Sequence, residues 1–188
     1  MPELIVVITV GGILVAAVVV FFNGNINQYF KLQSEGLAYS EITSNSQRIA
    51  RVLRGIKNIQ IAEANSITAY AYFSTQSTYT SQVKYYLSTD SRQLLADVTP
   101  MDADYPIGNL ITSQKYTVVV IDNFYVQNGV SLFKYNDSVG NELSAPVSNP
   151  NVIKNITINL AVKPYNSASN KVISTELSVS LRNRKTNL

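Results

Sequence analysis

Residues 4–22 form an unbroken apolar run, headed by Met1, Pro2 and Glu3, and no Lys or Arg occurs before Lys31. About 20 consecutive apolar residues are what a helix needs to cross a bilayer. One carboxylate stands at the head of the run. An ionisable group at the edge of hydrocarbon is costly unless something neutralises it, which makes Glu3 a candidate functional residue on physical grounds alone.

A cleavable secretory signal has a basic start and an apolar stretch of about 7 to 15 residues. This run is longer and has no basic flank before it. The helical pattern also continues past membrane length. From Ile26, the residues Phe30, Leu37, Ile42, Ile49, Leu53 and Ile56 recur at steps close to multiples of 3.6, with Lys31, Glu35, Glu41, Arg48, Arg51 and Lys57 between them. We therefore expect one helix of about 55 residues, nearly 80 Å long at 1.5 Å per residue. Residues 1–25 are its transmembrane or polymerisation half and residues 26–57 its amphipathic half. Asn23-Gly24-Asn25 is the expected weak point, with Gly36 a milder one.

After Lys57 the period changes to 2. Residues 66–74, 83–88, 94–98, 117–121, 124–126, 131–135, 153–162 and 172–181 carry β-branched or alternating patterns. These imply an antiparallel sheet across residues 58–188, with hairpin turns at Gln127-Asn128-Gly129 and at residues 166–170 and an irregular connection over residues 100–115. The fold class is thus α+β: a long N-terminal helix whose rear stripe, residues 26–56, lies on the sheet while its front half protrudes. The globular domain spans residues 26–188. A protruding apolar helix has to be covered by lipid or by copies of itself.

Composition removes several chemistries. With no Cys and no His, the chain has no disulfide framework, no thiolate or imidazole metal site, and no Ser/His/Asp or Cys/His nucleophile system. The expected reading has no catalytic residue, no metal and no cofactor. The net charge of +3 is small and its cations are scattered apart from Arg182, Arg184 and Lys185, so nucleic acid is an open partner that charge does not indicate. Arg48, Arg51 and Arg54 read as a solvated helix face. Asp102-Ala103-Asp104 and residues 136–142 contain oxygen ligands but match no full calcium loop, and turn chemistry accounts for them better. Asn136 and Asn155 head glycosylation sequons, which arise often by chance. Twelve Tyr and a charged fraction of 14% fit an extracellular or polymeric protein, with Tyr70, Tyr72, Tyr85, Tyr86 and Tyr125 as packing or contact surface.

Met1-Pro2-Glu3-Leu4-Ile5-Val6-Val7-Ile8 resembles the motif that opens type IV pilins and type II secretion pseudopilins just after their prepilin peptidase cleavage point. Residues 49–54 and 177–183 also look like the helix end and final strand of the minor-pilin and pseudopilin branch. The resemblance implies a membrane-inserted single-pass precursor whose basic leader is removed by an inner-membrane prepilin peptidase. It further implies methylation of the new amine, and lifting of subunits by the pilus assembly machinery into an extracellular helical filament of identical copies. It assigns Glu3 a salt bridge to the N-terminal amine of a neighbouring subunit, places Met1 near the mature N-terminus beside the motif residue Pro2, and leaves Gly24 the helix-loosening role that many relatives give to a Pro. The family usually has a Phe and a small polar residue ahead of the position of Met1, and many members have a disulfide that this chain lacks. Alongside a pilus subunit stand two alternatives: a minor pilin or pseudopilin that primes a secretion or competence pseudopilus, and a membrane-anchored adhesion or sensor domain that never polymerises.

Overall fold

A computed structural model describes residues 2–164 and 171–182. Met1, the proposed turn at residues 166–170, and Arg184 and Lys185 lie outside the described residues. The chain is α+β: helix α1, Pro2–Arg54, runs without a break and packs at its rear on antiparallel sheets. Pro2 opens α1, where its missing N–H costs nothing. At the far end Gly55 and Ile56 tighten the last turn by donating to Val52 and Leu53 carbonyls, and Arg51 and Arg54 offset the negative end of the helix dipole.

The β region is two sheets, where the sequence pattern suggested one. β1 (Asn58–Ala62), β2 (Ser66–Ala71), β3 (Ser81–Leu87), β4 (Leu94–Pro100) and β5 (Tyr116–Ile121) form a five-stranded meander in chain order. β6 (Phe133–Asn136), β7 (Glu142–Leu143), β8 (Asn155–Val162) and β9 (Ile173–Ser180) form the second sheet, ordered β7-β6-β8-β9. All neighbours are antiparallel. One core joins α1 to both sheets, with Ile42, Ile49 and Leu53 from the helix and Ile56 just past its end against Leu94, Ile121, Ile156, Ile158 and Val179. The sheets are also tied directly. Tyr135 is buried and its hydroxyl donates to the Glu63 carbonyl at 2.7 Å, while the Phe133 and Val147 amides donate to Ala64 and Ala62.

The turn at Gln127-Asn128-Gly129 is present: Val130 donates to the Gln127 carbonyl, and Gly129 has φ +75, a value L side chains rarely adopt. Its flanks do not pair as a hairpin. Phe124 bridges Val162 and β6 pairs with residues 155–158, both on the edge of β8 that faces away from β9. With Tyr125 and Leu132 also bonded to β8, residues 126–131 loop out from one interrupted strand. This stretch also carries the chain from one sheet to the other, since Phe124 donates to Arg92 and Tyr125 to Ala161.

The irregular connection after β4 is a strap on the outer face of the meander. Tyr105 stacks on Tyr70 with ring centroids 4.5 Å apart, and Asp104 accepts from the Tyr72 hydroxyl and the Thr80 amide. Gly108 is required there, because a Cβ would lie 2.0 Å from the Ala103 carbonyl oxygen.

Candidate functional site

The apolar stripe divides differently from its pattern. Ile26, Phe30 and Leu37 are exposed, Leu37 at 66%, and burial starts at Ala38. It then follows Ile42, Ser46, Ile49, Leu53 and Ile56, steps of three and four that keep one helix face on the sheets. The seam is set by small residues: Ala38, Ser46 and Ala50 let the helix come close to β8 and β9, and the Ser46 hydroxyl donates to the Thr43 carbonyl 2.8 Å away. Where the face first meets the domain, Lys171 clamps Glu35 at 2.8 Å. That contact, opposed by partial burial, holds the Glu35 carboxyl below its ordinary value.

Residues 2–33 project from the body, and residues 34–37 lie at the junction, where Glu35 is tied to Lys171. Leu4, Ile8, Ile13, Val20, Phe21 and Phe22 are all more than half exposed, and the helix is long and apolar enough to cross a membrane. Two of its polar side chains bond back to the helix itself: the Thr9 hydroxyl donates to the Ile5 carbonyl and the Asn25 amide to that of Phe21, each at 2.8 Å. This is how backbone-adjacent polar side chains are accommodated in hydrocarbon. α1 is continuous through Asn23-Gly24-Asn25, so the expected weak point is an intact helix in the isolated chain. Glu3 lies in the first turn, where a carboxylate is favoured by the positive end of the dipole, and it is exposed with no described ion pair.

The exposed apolar surface does not end at bilayer length. Ile26, Tyr29, Phe30, Leu32, Leu37 and Tyr39 follow residues 4–22 and are each about half exposed or more. Residues 2–37 measure about 54 Å at 1.5 Å per residue, against about 30 Å of hydrocarbon.

The other singled-out residues serve the domain itself. Asp137 accepts from the amides of Val139, Gly140 and Asn141, and Asp102 from that of Asn109, which is turn chemistry. The Tyr72 hydroxyl, then the Thr80 amide, hold the Asp104 carboxyl below its ordinary value. Burial pushes the Asp97 carboxyl up, but hydrogen bonds from Lys115, Thr117 and Tyr86 outweigh it and leave it low. Among the described residues no group of three or more His, Cys, Asp or Glu could hold a metal. Tyr85 is core, with burial pushing its hydroxyl up, whereas Tyr125 is exposed. Asn136 donates to the Gly140 carbonyl, and Asn155 opens β8. The Arg48 guanidinium lies 5.1 Å from the Phe73 ring centroid, so it is partly a cation–π contact and not only a solvated face.

Tyr135 was not among the tyrosines marked by sequence, because its hydroxyl partner, the Glu63 carbonyl, lies 72 positions away. Arg182 likewise stands beside Arg51 and Arg54 only once β9 is placed against α1. Comparison with known protein families finds no matching family model, and comparison with curated protein sequences finds no match.

Proposed function

We propose that the chain is the structural subunit of a type IV pilus-like filament, without catalytic activity, polymerising through residues 2–37 of α1. The observation that carries this reading is the excess of exposed apolar surface beyond a membrane span. A single-pass anchor is covered by lipid over residues 4–22 and gains nothing from bare Tyr29, Phe30, Leu32 and Leu37 above it. A bundle of identical helices covers both stretches at once. Gly11 and Gly12 fit the same reading, since a Cβ at either would meet no atom of this chain and small residues let neighbouring helices approach.

In this account the precursor spans the membrane once, is processed near Met1 ahead of Pro2 by a prepilin peptidase, and passes from lipid into the filament core through the pilus assembly machinery. Glu3 then meets the terminal amine of a neighbouring copy. A carboxylate left alone in such a bundle costs several kcal/mol, so the pair rewards one axial register. Gly24 supplies the residue at which the helix loosens during extraction.

Electron microscopy of fibres on the cells that express the chain tests the reading. Glu3→Ala is expected to reduce fibre number at least tenfold while membrane-inserted chain still accumulates; unchanged fibres would remove the salt bridge. Abundance separates the roles, because a main subunit fills the fibre and a priming minor pilin or pseudopilin is confined to its tip. An adhesion or sensor domain forms no fibre at all.

A further inference from the structure

We infer that the free edge of β9, flanked by Arg51, Arg54 and Arg182, is a docking site for an extended acidic peptide segment that adds a strand to the four-stranded sheet. Among the described residues β9 is the last strand of its sheet. The Leu181 amide donates to the Lys154 carbonyl at 2.9 Å, and antiparallel pairs alternate, so residues 181, 179 and 177 turn their backbone groups toward β8. Ser178 and Ser180 therefore turn their N–H and C=O groups to the open edge. The close approach of the Thr157 and Ser178 hydroxyls, 3.5 Å, is what a non-hydrogen-bonded pair gives and fixes the same register.

The two serines line a hollow of about 650 Å³ together with Arg51, Arg54, Gly55 and Arg182. The described ion pairs are Lys115–Asp97 and Lys171–Glu35, so none of these three guanidiniums is paired with a carboxylate among the described residues. The helix dipole gives Arg51 and Arg54 a reason to end α1. It gives none for Arg182, which the fold brings to the same hollow from beyond β9.

The backbone decides the class of ligand. An open strand edge offers donors and acceptors in turn, and another extended peptide matches both, with guanidiniums reading its carboxylates. A nucleic-acid backbone matches the donors and the guanidiniums but sets its phosphates against the outward carbonyls. Arginines that only guard the edge from unwanted pairing would bind neither.

The test uses the full chain in detergent micelles, where it is read apart from any polymer. Fluorescence anisotropy follows labelled ten-residue peptides of alternating Thr-Glu and Thr-Gln, and single- and double-stranded oligonucleotides. The Thr-Glu peptide is expected to bind at least tenfold more tightly than the Thr-Gln peptide and than either oligonucleotide. The pair Arg54→Ala with Arg182→Ala should weaken it at least tenfold, and so should Ser178→Pro, which removes an outward N–H without touching the ladder to β8. No binding of the Thr-Glu peptide, binding indifferent to Ser178→Pro, or tighter oligonucleotide binding would each overturn the inference. Hydrogen exchange on the unaltered chain gives a second reading that needs no variant. The Ser178 and Ser180 amides should exchange at least tenfold more slowly with the Thr-Glu peptide bound, and unchanged exchange overturns strand addition.

Discussion

Residues 2–37 and 38–54 belong to the same unbroken helix and are both rich in apolar side chains, yet the first stretch is bare and the second holds the core together. The difference lies in arrangement. Residues 4–22 of the front are apolar on every side and fit any apolar surround, lipid or neighbouring helices. Residues 23–37 continue with exposed apolar side chains among Asn, Gln, Lys31 and Glu35. The rear has one stripe broken by Ala38, Ser46 and Ala50, which fits only the surface that β8, β9 and β5 present. Apolar content places a segment out of water; the shape of the stripe decides whether its partner is inside the chain.

Truncation separates the halves most sharply. Leu53→Ala should destabilise the domain by about 2–5 kcal/mol, from lost burial and the cavity left, whereas Leu14→Ala should leave domain stability unchanged in chemical denaturation of the detergent-solubilised chain. Equal losses would mean that the front half also packs within the subunit. Enlargement gives the next contrast. Ala50→Leu overfills the seam at a cost of about 1–3 kcal/mol, and Ala17→Leu, on the bare stretch, costs the domain nothing. At Gly24 the sign reverses: Gly24→Ala should favour the isolated helix by about 0.5–1 kcal/mol, since the new methyl meets nothing. If Gly24 loosens the helix for assembly, fibre yield falls even as helicity rises.

The smallest effect sits at the junction. Glu35 titrates below its ordinary value of 4.5 because Lys171 hydrogen-bonds it, so the tie contributes fully above about pH 4.5 and is lost as pH falls through the lowered value. The small difference in melting temperature between the parent chain and Lys171→Ala should therefore shrink toward zero in acid, and a difference that grows in acid would contradict the assignment.

The helix was legible from end to end, because apolar length and the 3.6 period speak for themselves over fifty residues. Its division was not: Phe30 and Leu37 carry the same period as Ile42 and Ile49, and only the sheets decide where cover begins. β1 escaped notice because a bulge between Ile59 and Ile61 buries Ile59 and Ala62, three apart, and so breaks the alternation. β7 has two residues, too few for any period. That the strands form two sheets is a matter of long-range pairing, as is the meeting of Arg182 with Arg51 and Arg54. The Glu3 signal was local and the structure leaves it where the sequence put it, at the exposed head of α1.

The absence of Cys makes one measurement especially direct. A single cysteine introduced at Val10 or at Phe30, followed by a short thiol-reactive crosslinker on intact fibre-bearing cells, reports what covers the front of α1. Ladders of crosslinked chains are expected from both positions in sheared fibres. Monomers alone from both, with the thiols labelled only from the lipid phase, would contradict polymerisation through α1.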